Sequence, residues 1–289
     1  MSIKVEQLLF SYYERSYPGH LGISFPSKLA HRFRGLDEYV QKALPEYATR
    51  TVWTRLRHYR NHVAPFVKTK PLLDFLDNHR NFQPAYLLDF GCGAGHIIKY
   101  LATHLGSLRA IWGIDPDASI LSVSEEVHRQ GLPKTLWHTS LSEAGIPDHS
   151  CNLIIAVHAL HHLERDEQSR ILSHLLALLK PGGVLYIYED SWTLASQLSL
   201  STLVDLDSCF GELSTEQKLR VFELNEYWSN AWCYGRFLDT DKSRYRSLEE
   251  WSALLISNDL ELVDIGATGF DVRRIHGVPS AWLIGRRSG

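Results

Sequence analysis

The chain has 289 residues, enough to bury a full core in one elaborated domain or in a domain with a cap. Apolar residues make up 44% and charged residues 22%, a globular balance, and a net charge of −3 offers nothing global to attract nucleic acid or an anionic membrane. Four cysteines (Cys92, Cys151, Cys209, Cys233) form no CxxC pair, no stretch reaches the roughly 18 apolar residues of a membrane span, and the first ten residues lack a signal-peptide run, so a cytoplasmic protein is expected.

Residues 1–82 are aromatic and basic, without clear strands, and Pro18, Pro26, Pro45, Pro65 and Pro71 punctuate them into short helices; this stretch is read as an N-terminal helical cap. From Tyr86 short apolar runs alternate with helical stretches. Strands are predicted at Tyr86–Phe90, Ala110–Ile114, Thr135–His138, Asn152–Val157 and Val184–Tyr188. Helices are predicted at 94–105, 118–130 and 166–179, the last stopped by Lys180-Pro181-Gly182-Gly183. Such alternation argues for a mostly parallel sheet with helices on both faces. Residues 191–245 interrupt it with a helical, aromatic-containing insertion, read as a substrate lid. A helix at 248–257 and strands at Glu261–Ile265 and Ala281–Ile284 complete the pattern. The expected organisation is thus a cap at 1–82, a ligand-binding α/β domain at 83–190 and 246–289, and a lid at 191–245.

The most informative stretch is the strand that ends in Leu88-Asp89-Phe90 and runs into Gly91-Cys92-Gly93-Ala94-Gly95. Glycines permit a tight turn and close approach of a ligand to the backbone, and the helix that follows presents free N–H groups. The dinucleotide fingerprint spaces its glycines G-x-G-x-x-G, whereas here the spacing is G-x-G-x-G with His96 next. A carboxylate at Asp89 would repel a pyrophosphate but suits an ammonium or sulfonium charge. Asp115, ending the second strand, stands where an acid holds the ribose hydroxyls of an adenosine ligand.

With these residues the chain resembles the class I, Rossmann-like methyltransferases dependent on S-adenosylmethionine (SAM), in their small-molecule branch. The segment 87–96 looks like their first motif, 113–117 like their second, and 146–163 and 179–190 like the segments around their fourth and fifth strands. The resemblance implies a seven-stranded sheet with an antiparallel last strand. It implies that Asp89, Gly91 and Gly93 surround the methionine part of SAM and that Asp115 holds the ribose. Pro116 and Leu141 would flank the adenine, Ser140 stands where many relatives have an adenine-contacting Asp, and Val157 would contact the methionine moiety through its backbone. Tyr13 or Tyr17 would cover the cofactor or line the acceptor site.

Ligands of open α/β sheets bind outside the carboxyl ends of the parallel strands. That rule selects His158, His161 and His162 after the fourth strand, Glu189 and Asp190 after the fifth, and the loop carrying Arg273, Arg274, His276 and Pro279. His276 is the first candidate for a base, with His162 and Glu189 behind it, because a base is needed where the acceptor loses a proton as it attacks. The pair His161-His162 has packing near SAM as its other reading. A metal site on the three histidines has no carboxylate or Cys partner indicated by spacing, and none is expected. Arg274 suits a carboxylate or phosphate on the acceptor, Asp190 an amine or hydroxyl, and Trp228 a wall of an apolar pocket, core packing being the alternative for the aromatics. Six Lys/Arg and no acid lie between Arg50 and Lys70, either a solvated helix face or a docking patch for an acidic carrier protein.

The expected function is methyl transfer from SAM to O, N or C of a small-molecule, specialised-metabolite acceptor. The alternatives are a protein or carrier-tethered substrate, or a reaction such as cyclisation or decarboxylation that keeps SAM without transfer. The Asn/Asp-Pro-Pro-aromatic signature of base-directed amino methyltransferases is absent; the corresponding residues are Val157-His158-Ala159-Leu160.

Overall fold

The computed structural model describes residues 2–15, 63–118, 133–194, 202–234, 241–271 and 278–289. The predicted helix at 118–130 and the loop with Arg273, Arg274 and His276 lie outside the described residues, as do Tyr17 and the side chains of Tyr13 and Trp228.

The chain divides into two compact units. One comprises Met1–Ala64, Asp190–Tyr245 and Ala267–Ser280; the other comprises Pro65–Glu189, Arg246–Gly266 and Ala281–Gly289. The second is built on the sheet. Its strands are β1 (Tyr86–Phe90), β2 (Ala110–Ile114), β3 (Lys134–His138), β4 (Cys151–Val157), β5 (Leu179–Asp190), β6 (Leu260–Thr268) and β7 (Ser280–Arg287). They form one seven-stranded sheet in the order β3-β2-β1-β4-β5-β7-β6. The first five pair in parallel, with Asp89 of β1 opposite Gly113 of β2 and Ile155 of β4. Ser280, opening β7, donates to Asp190 at the end of β5, whereas Arg287, closing β7, reaches the carbonyl of Leu179 at the start of β5, so β7 runs against β5. Thr268 meets Ser280 and Leu260 meets Gly285, so β6 runs against β7 as well.

Alternation along the strands sends successive side chains to opposite faces. Numbering helices along the chain, α1 is Ser2–Arg15, α2 Ala64–Asn78, α3 His96–His104, α4 Leu141–Ala144, α5 Arg165–Leu178, α6 Val204–Gly211, α7 Thr215–Tyr234 and α8 Leu248–Ile256. On one face of the sheet Leu88, Ile154, Ala156, Leu185 and Ile187 pack with α5 and α8 through Leu172, Leu175, Trp251 and Leu255. On the other, Leu87, Ile111, Leu153, Ile155 and Val184 pack with Leu72, Phe75 and Leu76 of α2 and with Ile98 and Leu101 of α3. Helix α8 opens on a capping box in which Ser247 and Glu250 satisfy each other's backbone N–H. The boundary before the sheet unit falls after Ala64 rather than at residue 82, because α2 runs through Pro71 and packs Leu72, Phe75 and Leu76 on the sheet. Tyr186 of β5 donates its hydroxyl to the Lys68 carbonyl of the same helix at 2.5 Å.

Residues 180–183, predicted as a stop, belong to β5: Leu179 already pairs with Cys151, and the register shifts between Cys151 and Leu153. Gly182 (φ 73°) absorbs that irregularity in a left-handed conformation.

In the first unit α1 buries Val5, Leu8, Leu9 and Tyr12, and the Tyr12 hydroxyl donates to the Asp271 carbonyl at 2.8 Å. Phe270 packs on Tyr12 and Phe210, and its N–H donates to Asp207 of α6 at 2.8 Å. Phe270 and Asp271 therefore join the helical segments. Among the described residues no helix is long and apolar enough to cross a membrane.

Candidate cofactor site

The site lies within the sheet unit, at the carboxyl ends of β1, β2, β4 and β5. The turn after β1 is fixed by its backbone. The N–H groups of Gly91 and Cys92 both donate to the Ile114 carbonyl at the end of β2, at 2.8 and 3.0 Å. Gly91, Gly93 and Gly95 all have positive φ (73°, 49° and 70°), the region that side chains with a Cβ enter at a cost. At Gly91 space is also limiting, since a Cβ there would sit 2.3 Å from the Cβ of Ala159. Gly95 is the N-cap of α3, so the helix begins at His96, two residues later than predicted, because a left-handed residue cannot sit inside it.

Two carboxyls face this turn. Asp115 accepts from the N–H of Gly93 at 2.9 Å and from that of Asp117 at 3.0 Å, which orients its carboxylate at the end of β2. Asp89 is 2% exposed, and its Oδ2 is buried without a hydrogen-bond partner among the described residues. Burial, and then the charge of Asp115, push the Asp89 carboxyl up to about 8. The neighbouring Cys92 thiol is also pushed up, by burial and by the charges of Asp89 and Asp115. The local field thus disfavours anions and favours a cation, and the orphaned oxygen of Asp89 is an acceptor awaiting a donor.

Around the pocket Pro116 is exposed, and Leu141 is half-buried at the start of α4, where Ser140 is the N-cap and accepts from Glu143 N–H at 3.3 Å. Ser140 therefore serves the short helix through its hydroxyl. Val157 ends β4 opposite Tyr188. His158 follows with φ 51° and donates its N–H to the Tyr188 carbonyl at 2.8 Å. A histidine in this conformation is uncommon, and such residues gather at functional sites.

Glu189 is wholly buried. Its Oε1 accepts from the N–H groups of Ala159 and Leu160 at 2.8 and 2.7 Å, and its Oε2 lies 2.5 Å from Nδ1 of His161. His161 is buried and its ring lies 4.2 Å from that of His162, which is exposed. His158, His161 and Glu189 each place a ligating atom within 4.8 Å of the others, so the fold supplies the carboxylate that sequence spacing does not indicate. The 2.5 Å approach of Glu189 to His161 is that of a hydrogen bond; two ligands on a tetrahedral zinc stand about 3.3 Å apart. Asp190 belongs to the other unit, where Ser280 Oγ donates to it at 2.9 Å.

The sequence points to Asp89, Gly91, Gly93 and Asp115, and the fold gathers them at one edge. It does not point to Ala159 against Gly91 or to the strained His158. The signal for Ala159 is a small residue just beyond β4, where the glycine turn must pass.

The structural features agree with what comparison with known proteins finds. Residues 87–183 match a family model described as a methyltransferase domain. The trans-aconitate 2-methyltransferase of Pseudomonas aeruginosa strain UCBPP-PA14 is 29% identical over 130 residues, 45% of this chain and 45% of that protein. The ribosomal RNA small subunit methyltransferase C of Alcanivorax borkumensis is 31% identical over 121 residues, covering 40% and 35%. The chain thus spans less than half the length of these curated relatives. A SAM-dependent methyltransferase from Aquifex aeolicus is similar in structure with a TM-score of 0.47 at 15% identity, over 74% of this chain and 88% of that one. The segment 87–183, carried on the seven-stranded sheet with its glycine turn and two strand-end acids, is thus similar to a methyltransferase domain.

Proposed function

We propose that this protein binds SAM at the carboxyl edge of β1, β2 and β4 and directs its methyl group to O, N or C of a small-molecule acceptor. The observation that carries the reading is the buried Asp89 oxygen without a partner among the described residues, beside a glycine turn and within the field of Asp115. An ammonium donor satisfies that oxygen; a pyrophosphate does not. Asp89, Gly91 and Gly93 hold the amino-acid part of the cofactor and Asp115 the ribose hydroxyls. Pro116, Leu141 and Ser140 border the adenine, and the backbone of Val157 closes the pocket.

When bound, SAM supplies an electrophilic methyl group on a leaving group that is already activated. The chain's task is then to align the acceptor and keep water out. Where the acceptor loses a proton, exposed His162 is one imidazole at this edge that offers a ring nitrogen to take it. A small-molecule acceptor is supported by the relative named for trans-aconitate and by the lack of an Asn/Asp-Pro-Pro-aromatic segment after β4.

Incubation with SAM and a panel of carboxylate, hydroxyl and amine acceptors, followed for S-adenosylhomocysteine (SAH), tests the reading. Acceptor-dependent SAH supports it. Consumption of an acceptor without SAH would show a pocket that keeps the cofactor but does other chemistry.

A further inference from the structure

We propose that Glu189 is a positioning residue of this site: it clamps Ala159 against the glycine turn and fixes the Nδ1–H tautomer of His161. The proposal rests on the reading of the pocket as a SAM site.

The argument starts from the cost of the residue. Glu189 follows five consecutive residues, Val184–Tyr188, that are completely buried, and it is completely buried itself. A carboxylate in that setting needs donors for its oxygens, and an ionised carboxylate can only accept. Three groups converge on it: Ala159 N–H and Leu160 N–H donate to Oε1, and Nδ1 of the His161 ring lies 2.5 Å from Oε2. All three come from consecutive residues of one loop. β5 thus grips the segment after β4 beyond the last sheet bond, the one from His158 N–H to the Tyr188 carbonyl.

What is gripped touches the cofactor turn. Ala159 packs so closely on Gly91 that no Cβ fits between them. Gly91 N–H is held by the Ile114 carbonyl, and Gly93 N–H by Asp115. A continuous set of contacts therefore runs from Glu189 through Ala159 and Gly91 to the carboxylate assigned to the ribose. His158, between β4 and the clamped residues, keeps its left-handed backbone because both of its neighbouring segments are tied.

The same geometry decides the protonation pattern of His161. With Oε1 taken by two backbone N–H groups, Oε2 at 2.5 Å is the acceptor that the proposal assigns to a hydrogen on Nδ1. Glu189→Gln keeps the shape, but its neutral carbonyl oxygen accepts the two backbone N–H groups more weakly than a carboxylate does, which loosens the hold on Ala159. Its amide then points an N–H at Nδ1, which must become the acceptor, so the ring hydrogen moves to Nε2. Glu189→Asp is one methylene short and cannot reach the loop from the same backbone.

The experiment uses the full chain labelled with 15N-histidine, with His161 assigned by comparison with His161→Gln. Long-range 15N–1H correlation reads the tautomer, and calorimetry reads SAH affinity. In the native protein His161 should show Nδ1–H. Glu189→Gln should show Nε2–H with native circular dichroism and SAH affinity lower by at least about tenfold, the equivalent of one charge-assisted hydrogen bond. Glu189→Asp should bind no better than Glu189→Gln. An Nε2–H tautomer in the native protein, stoichiometric zinc on elemental analysis, or a folded Glu189→Gln with unchanged affinity would overturn the proposal. The native tautomer supports or overturns the lock even if the variants fail to fold. If native protein binds no SAH, the cofactor reading fails separately, and the tautomer still tests the Glu189–His161 lock.

Discussion

Asp115 helps to keep Asp89 uncharged. The Asp89 carboxyl, on β1, is buried first by its own strand and then faces the charge of Asp115 on neighbouring β2, and together these push it up to about 8. Asp115 meanwhile is tied to the backbone N–H groups of Gly93 and Asp117. One acid is oriented and the other is held back until a cation arrives.

A pH dependence of binding follows. Below about 8 the Asp89 carboxyl of the free protein carries a proton, and pairing with the cofactor's ammonium requires its release. SAH affinity should therefore rise with pH between about 6 and 7.5, by up to about tenfold per unit, and one proton should appear in the buffer for each ligand bound. Calorimetry in buffers of different ionisation enthalpy measures both quantities. Affinity independent of pH, with no proton released, would count against Asp89 as the ammonium partner.

The same shift bears on stability. A carboxyl raised from its ordinary 3.8 to about 8 in the folded state gives its full contribution below about pH 4 and loses it as pH rises to about 8. Asp89→Asn removes this titration. Relative to the native protein without ligand, the variant should gain stability by up to about 1.4 kcal/mol per pH unit across that window, and it should bind SAH more weakly. Thermal melts at pH 5 and pH 8 with equal differences would contradict the assignment.

Gly91→Ala should fail on two counts. The new Cβ occupies a left-handed residue and meets the Ala159 Cβ at 2.3 Å. A loss of about 2–4 kcal/mol is expected from the combined strain and overpacking, with SAH affinity reduced in parallel. Gly93 has open space where a Cβ would point, so Gly93→Ala should cost less, about 1–2 kcal/mol for its positive φ alone. Chemical denaturation of the two variants measures the order.

Asp115→Ala should weaken SAH by about 2–4 kcal/mol, the scale of lost charge-assisted hydrogen bonds to a diol. Asp117→Ala leaves the Asp117 N–H to Asp115 in place and should change affinity little. Titration calorimetry of both variants distinguishes a ribose carboxylate from general negative charge near the turn.

Much of this arrangement is legible in the sequence because it is local. The apolar runs of β1, β4 and β5, the glycine turn and the acids at 89 and 115 each follow from a few adjacent residues. What is not legible depends on register and packing between distant segments. The Glu189 clamp exists because β4 and β5 pair with Val157 opposite Tyr188, which puts the next acid beside the next loop. Pro71 predicts a break in helix α2; in the structure burial of Leu72, Phe75 and Leu76 outweighs the missing N–H. The strand at 180–183 is hidden because Pro181 and the two glycines read as a stop, while a bulge beside Cys151 accommodates them.

The most direct test of the central claim is a calorimetric titration of the native protein with SAM, with NAD in parallel. A pocket with a buried carboxyl oxygen that has no partner among the described residues, beside a G-x-G-x-G turn, should bind SAM at one site and show no heat with NAD. Binding of NAD at this site, or silence with SAM, would contradict the account.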